Sequence, residues 1–106
     1  MKINLQCLKF TAKDRLRDFV NEKVSKLEKF DDRILSAEVT LSVQDGKHVD
    51  NKACDIRLVV PGNDLIVKRS AVTFQEAILI AVETLQETLK RKKDKTSQSD
   101  KSATIG

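Results

Sequence analysis

A chain of 106 residues, 40% apolar and 34% charged, has the size and composition of one globular domain rather than of a disordered or fibrous segment. No apolar run approaches the roughly 18 residues of a membrane span, and MKINLQCLKF lacks an apolar block followed by a small-residue cleavage site, so a cytoplasmic protein with no membrane partner is expected. The net charge of +4 is unevenly spread: residues 2–33 carry +3, residues 34–89 carry −3 and residues 90–106 carry +4, a pattern that suits a localised anionic partner.

Ile3, Leu5 and Cys7 alternate with Lys2, Asn4 and Gln6, which predicts a half-buried strand. Thr11 opens TAKD, a capping-box pattern with Asp14 in the place of Glu or Gln, and a helix is expected from Ala12 to about Lys29. Leu16, Phe19, Val20, Val24 and Leu27 form its apolar stripe, Phe30 extends it, and Asp31-Asp32 ends it in a polar loop. From Ala37 the period becomes two. Ala37, Val39, Leu41 and Val43 share a face, a polar hairpin loop runs from Gln44 to Lys52, and Cys54, Ile56, Leu58 and Val60 form the next series. Pro61-Gly62-Asn63-Asp64 is a turn, and a fourth strand follows from Leu65 to about Ser70. Thr73 with Glu76 completes a capping box for a second helix whose stripe is Phe74, Ala77, Ile78, Ala81, Val82, Leu85 and Leu89.

The order β-α-β-β-β-α predicts an α+β two-layer sandwich. A four-stranded sheet has one wet face, both helices cover the other, and the first strand lies parallel to a neighbour because a helix joins it to the meander. Residues 1–95 are read as the domain and 96–106, TSQSDKSATIG, as a disordered tail. Cys7 and Cys54 are expected as reduced thiols used as small hydrophobes. With His48 they supply too few ligands for a zinc site, so no metal or cofactor is expected. His48 lies in a loop without a partner, Gly46 and Gly62 are isolated, and no nucleophile–base pair assembles. Neither an enzyme nor a small-molecule substrate is expected.

The core pattern leaves several cations unexplained. On a helical wheel Lys23 falls within the apolar arc of the first helix, with Lys26 and Arg15 on its border and Asp14, Asp18, Glu22 and Glu28 behind. Five of the six residues from Lys90 to Lys95 are basic, and Lys92 and Lys95 continue the buried stripe of the second helix. Unpaired cations are not buried, so that helix must overrun the sheet; Phe74 to Lys95 would span about 30 Å. Lys23 snorkelling over apolar surface, and a C-terminal cap stabilised by about 0.3–1 kcal/mol per cation, account for part of the pattern. Mutual repulsion makes the cap a poor account of all five, and a polyanion-binding patch explains them better. Anionic lipid is disfavoured because neither helix joins exposed bulky apolar residues to a basic face. The chain has no Tyr or Trp and its four Phe are assigned to the core or its edge, so recognition should rest on phosphates and shape, as for structured RNA, rather than on base stacking.

LRDFVNEKVSKLEKFDDRI, Leu16 to Ile34, resembles the first-helix signature of the ribosome hibernation promoting factors and ribosome-associated translation inhibitors, also labelled sigma-factor modulation proteins. The last helix resembles the same family at Phe74, Ala77, Ile78, Leu85 and Leu89 and in its basic KRKKDK ending. The resemblance covers residues 1 to about 95 and implies a fold similar to a double-stranded-RNA-binding domain with an extra first strand. It also implies binding to the small ribosomal subunit near the decoding site, blocking mRNA and tRNA positions and silencing idle ribosomes in stationary phase or stress. The rRNA contacts it implies are Lys23, Lys26, Arg33, Lys90, Arg91, Lys92, Lys93 and Lys95. Long members add a dimerising domain; 11 residues follow Lys95, so a short form and a monomer are expected. Leu79 and Ile80 lie outside the single stripe and suit either wider burial or a weak self-association face. The alternative readings are a general structured-RNA-binding module and a protein-binding regulator.

Overall fold

The computed structural model describes residues 1–44 and 49–97, with side chains described as far as Arg91 in the last helix. The elements are β1 (Lys2–Leu8), α1 (Asp14–Ser25), a 3₁₀ turn (Lys26–Lys29), β2 (Ser36–Val43), β3 (Lys52–Val59), β4 (Leu65–Ala71) and α2 (Phe74–Ser97). The strands form one sheet in the order β1-β2-β3-β4. β1 lies parallel to β2, while β2–β3 and β3–β4 are antiparallel. This is the α+β two-layer architecture that the order of periods predicts.

The period of two decides which face is dry. Across the sheet, Leu5 faces Val39, Val39 faces Ile56 and Ile56 faces Val67, so the apolar residues of four strands share one surface. Both helices cover it: α2 packs on β3 and β4, α1 packs on β1, and the two helices touch. Val20, Val24 and Leu27 from the first helical segment meet Ala77, Ile78, Ala81, Val82, Leu85 and Leu89 from the second in a single core. The opposite face, carrying Glu38, Arg57, Ile66 and Lys68, is left uncovered by helices.

The bounds and the cap of the first helix need revision. The first helix begins at Asp14, not Ala12. Lys13 is extended (φ −79°, ψ 164°) and makes no side-chain cap, so Thr11 does not cap a box. Ala12 is buried, and it is the carbonyl of Lys13 that accepts from the amides of Leu16 and Arg17. Asp14 in the first turn still complements the helix dipole. At the other end the α-helix stops at Ser25 and tightens into the 3₁₀ turn, which keeps Leu27 fully enclosed. Arg69 lies on the inward series of β4, opposite Cys54. Because β4 is an edge strand, the side chain reaches solvent, and its Nη1 donates to the Lys68 carbonyl at 2.8 Å.

At α2 the Thr73 hydroxyl accepts the Glu76 amide at 3.1 Å, the expected cap. The helix extends two residues beyond the expected domain boundary, to Ser97. The tail from residue 98 and the loop residues 45–48, His48 included, lie outside the described residues. Cys7 and Cys54 are free thiols on either side of Leu41 in neighbouring strands. Two strand spacings separate their backbones by about 10 Å, beyond the reach of a disulfide.

Candidate nucleic-acid interface

Strand directions decide where the helix ends go. β1, β2 and β4 all run the same way, and α1 follows β1 as α2 follows β4. Both helices therefore start at one end of the sheet and finish at the other. At the starting end Phe10 stacks on Phe74, ring centroids 4.6 Å apart. At the finishing end the N-terminal ammonium of Met1, at the start of β1, lies 3.5 Å from the Glu28 carboxylate. Phe30 and Lys90 also line one open groove, which runs back along α2 past Glu87, Gln86, Thr84 and Glu83 to Ile80.

The candidate cations all belong to that finishing end. Lys23 sits in the last turn of α1, Lys26 in the 3₁₀ turn, Arg33 in the link to β2, and Lys90 and Arg91 on α2. Lys92, Lys93 and Lys95 follow on the helix backbone. A helix of 24 residues spans about 36 Å, whereas strands of 7–8 residues span about 25 Å. Since α2 begins where β4 ends, roughly its last seven residues pass beyond the sheet. That stretch coincides with the basic run.

The individual settings differ. The Lys23 side chain is 25% exposed, its ammonium lying 5.5 Å from the Phe19 ring centroid and 3.8 Å from Glu22. This is a cation laid over the Phe19 ring of the apolar stripe, partly exposed. Lys26 is exposed. Arg91 is exposed and pairs loosely with Glu87, one turn back, at 3.7 Å. Arg33 is held differently. Its Nε donates to Asp31 Oδ1 at 3.0 Å and its Nη2 to Asp31 Oδ2 at 3.1 Å, while its own amide donates to Oδ1 at 2.9 Å. The Asp31 carboxylate raises the Arg33 pKa above its ordinary value, first through the hydrogen bonds and then through its charge.

The α1 cations and the α2 cations thus share an end of the molecule rather than a single pocket; the groove brings Lys90 to Phe30. Two residues at this end escape a reading of the sequence. Lys29, exposed in the 3₁₀ turn, follows Lys26 by three positions, a spacing visible in KLEK. Asp31 looks like a loop residue, although an Asp side chain in a turn commonly accepts from the backbone amide two residues on, as it does here from Arg33. Among the described residues no three His, Cys, Asp or Glu side chains converge as metal ligands, and no helix is long and apolar enough to cross a membrane.

Residues 3–97 match the family model described as sigma 54 modulation protein / S30EA ribosomal protein. A ribosome hibernation promoting factor from Azotobacter vinelandii is 30% identical over 95 residues, covering 90% of this chain and 85% of the relative. A ribosome hibernation promotion factor from Deinococcus radiodurans is 30% identical over 77 residues, 72% of this chain but 40% of the relative. Among solved structures, the N-terminal domain of Thermus thermophilus Protein Y superposes with a TM-score of 0.74 at 30% identity, covering 86% of this chain and 98% of that one. A ribosomal subunit interface protein from Coxiella burnetii has a TM-score of 0.77 at 15% identity, over 89% and 99% of the two chains, a likeness of fold.

Proposed function

The chain belongs to the sigma 54 modulation protein / S30EA ribosomal protein family, which includes the ribosome hibernation promoting factors, and from that premise we propose that it silences idle ribosomes by occupying the small subunit near the decoding site. The observation that carries this reading is the parallel course of α1 and α2, which delivers two basic helix ends to one end of the domain and extends one of them past the sheet. Lys23, Lys26 and Arg33 form one group of rRNA contacts, and Lys90, Arg91, Lys92, Lys93 and Lys95 form the other. Phosphate contacts set affinity and orientation, and the shape of the subunit channel sets specificity. Inhibition needs no chemistry, because a domain seated there excludes mRNA and tRNA. The protein acts in the cytoplasm, as a monomer, during stationary phase or stress.

Sedimentation of extracts from growing and starved cells tests the reading. The protein should travel with small subunits or whole ribosomes and leave them at high salt. With about five phosphates contacted, log affinity should fall against log salt with a slope near −4 to −5. Equal affinity for any duplex RNA would favour a general RNA-binding module, and a flat salt response would remove the phosphate clamp altogether.

A further inference from the structure

We propose that Asp31 is a positioning residue that presents Arg33 to a phosphate of the bound RNA; the inference rests on the ribosome-binding reading above. The guanidinium carries five N–H donors in one plane. Asp31 fills its side-on edge, taking Nε on Oδ1 and Nη2 on Oδ2. Both N–H groups of Nη1 and the second of Nη2 remain, and the second of Nη2 with the neighbouring N–H of Nη1 forms the end-on edge. That edge matches two oxygens of a phosphate.

The burial of the two partners is unequal in the direction this role needs. The Asp31 side chain is 9% exposed and the Arg33 side chain 63%. The acid is inside and the cation outside, so a phosphate meets the free edge of the guanidinium before it meets the carboxylate. Asp31 is itself fixed by accepting the Arg33 amide at 2.9 Å. The side chain of Arg33 therefore loses its rotamer freedom when the chain folds, not when RNA binds. The carboxylate offsets part of the attraction, so its contribution is orientation rather than field. Among the described candidate cations Arg33 alone is gripped at two carboxylate oxygens; Arg91 meets Glu87 at 3.7 Å with both side chains largely in water.

The test uses the whole chain with purified small ribosomal subunits, measuring affinity across a salt series beside thermal melts of each variant. Asp31→Asn keeps an Oδ1 acceptor for the Arg33 amide but sets an amide NH₂ against Nη2, so the turn persists while the fork is lost. It should bind about three- to tenfold more weakly, the scale of one freely rotating side chain, at an unchanged salt slope. Arg33→Gln should weaken binding and lower the slope by about one. Arg33→Lys keeps the charge without the fork and should weaken binding at an unchanged slope. Asp31→Asn added to Arg33→Gln should change nothing further.

Tighter binding by Asp31→Asn would make the acid a competitor of RNA and overturn the proposal. So would an equal loss from Asp31→Asn in the Arg33→Gln background, since the acid would then act through the fold. If Asp31→Asn does not fold, Arg33→Lys decides, and wild-type affinity in that variant overturns the inference. A wild-type chain that fails to bind small subunits sinks the ribosome reading itself, whereas binding that is indifferent to Arg33→Lys and Arg33→Gln sinks this inference alone.

Discussion

Leu27 and Ile56 are fully enclosed, one under the 3₁₀ turn and one at the centre of the sheet. Cutting either back to Ala removes transfer energy and leaves a cavity, so Leu27→Ala or Ile56→Ala should each lower the unfolding free energy by about 2–5 kcal/mol in denaturant titrations. Cys54 adds a pH-dependent effect at the same scale. Burial pushes its thiol up from 9.0 to about 12, and the charge of Asp55 adds to the shift. The folded state therefore holds a proton that the unfolded chain releases from about pH 9. The stability contributed by the protonated thiol is present below that pH and is lost as pH rises toward 12. Cys54→Ala should flatten the fall of stability between those limits, and half-buried Cys7 should be alkylated well before Cys54 in the native protein.

At the scale of elements, α2 is capped at one end and runs past the sheet at the other. Thr73→Ala removes the acceptor for the Glu76 amide and should cost about 0.5–2 kcal/mol in stability while leaving ribosome affinity nearly unchanged. Replacing Lys90, Arg91, Lys92 and Lys93 by Gln should do the reverse. Exposed helix positions are usually worth under about 0.5 kcal/mol each, so the melt should move little while sedimentation with ribosomes is strongly reduced. Loss of the fold in that variant would assign the run a structural role. In the β3–β4 turn Gly62 has φ +97°, a conformation that a side chain resists even though nothing lies within 4 Å of an added Cβ. Gly62→Ala should therefore destabilise by about 1 kcal/mol from backbone strain alone, read as a lowered melting temperature.

The whole molecule is a two-layer sandwich that uses its two faces unequally. The helix layer carries the core and the basic ends, while the other sheet face shows water a mixed surface. There Arg57 meets Asp64 at 2.6 Å, Ile66 is 73% exposed, and an Asp55 carboxylate oxygen is buried without a hydrogen-bond partner. The proposed phosphate clamp, confined to one end of the domain, predicts a directional response to salt and charge. Charge-reversing substitutions on the open sheet face, such as Lys68→Glu, should leave the steep salt slope of ribosome binding intact. The Gln replacements on α2 should make that slope shallower by roughly one for each phosphate that is no longer neutralised, measured by the same sedimentation assay.

Much of this was legible in residue order because strand and helix periods are local properties. Alternation over Ala37–Val43 and Cys54–Val60 determined two strands and their dry face. The spacing of Phe74 to Leu89 determined a helix and its buried side, and KRKKDK announced the basic end. The boundaries of α1 were less legible, because its start depends on the burial of Ala12 and its 3₁₀ finish on how Leu27 reaches the core. Composition alone could not say that the two groups of cations share an end of the molecule. That followed from β1, β2 and β4 running the same way, a matter of long-range pairing, since segments far apart in the chain become neighbours only when strands hydrogen-bond. The grip of Asp31 on Arg33 spans only two residues and is local, but a polar turn permits that bond without requiring it; the backbone conformation between the 3₁₀ turn and β2 brings Arg33 Nε to 3.0 Å from Asp31 Oδ1.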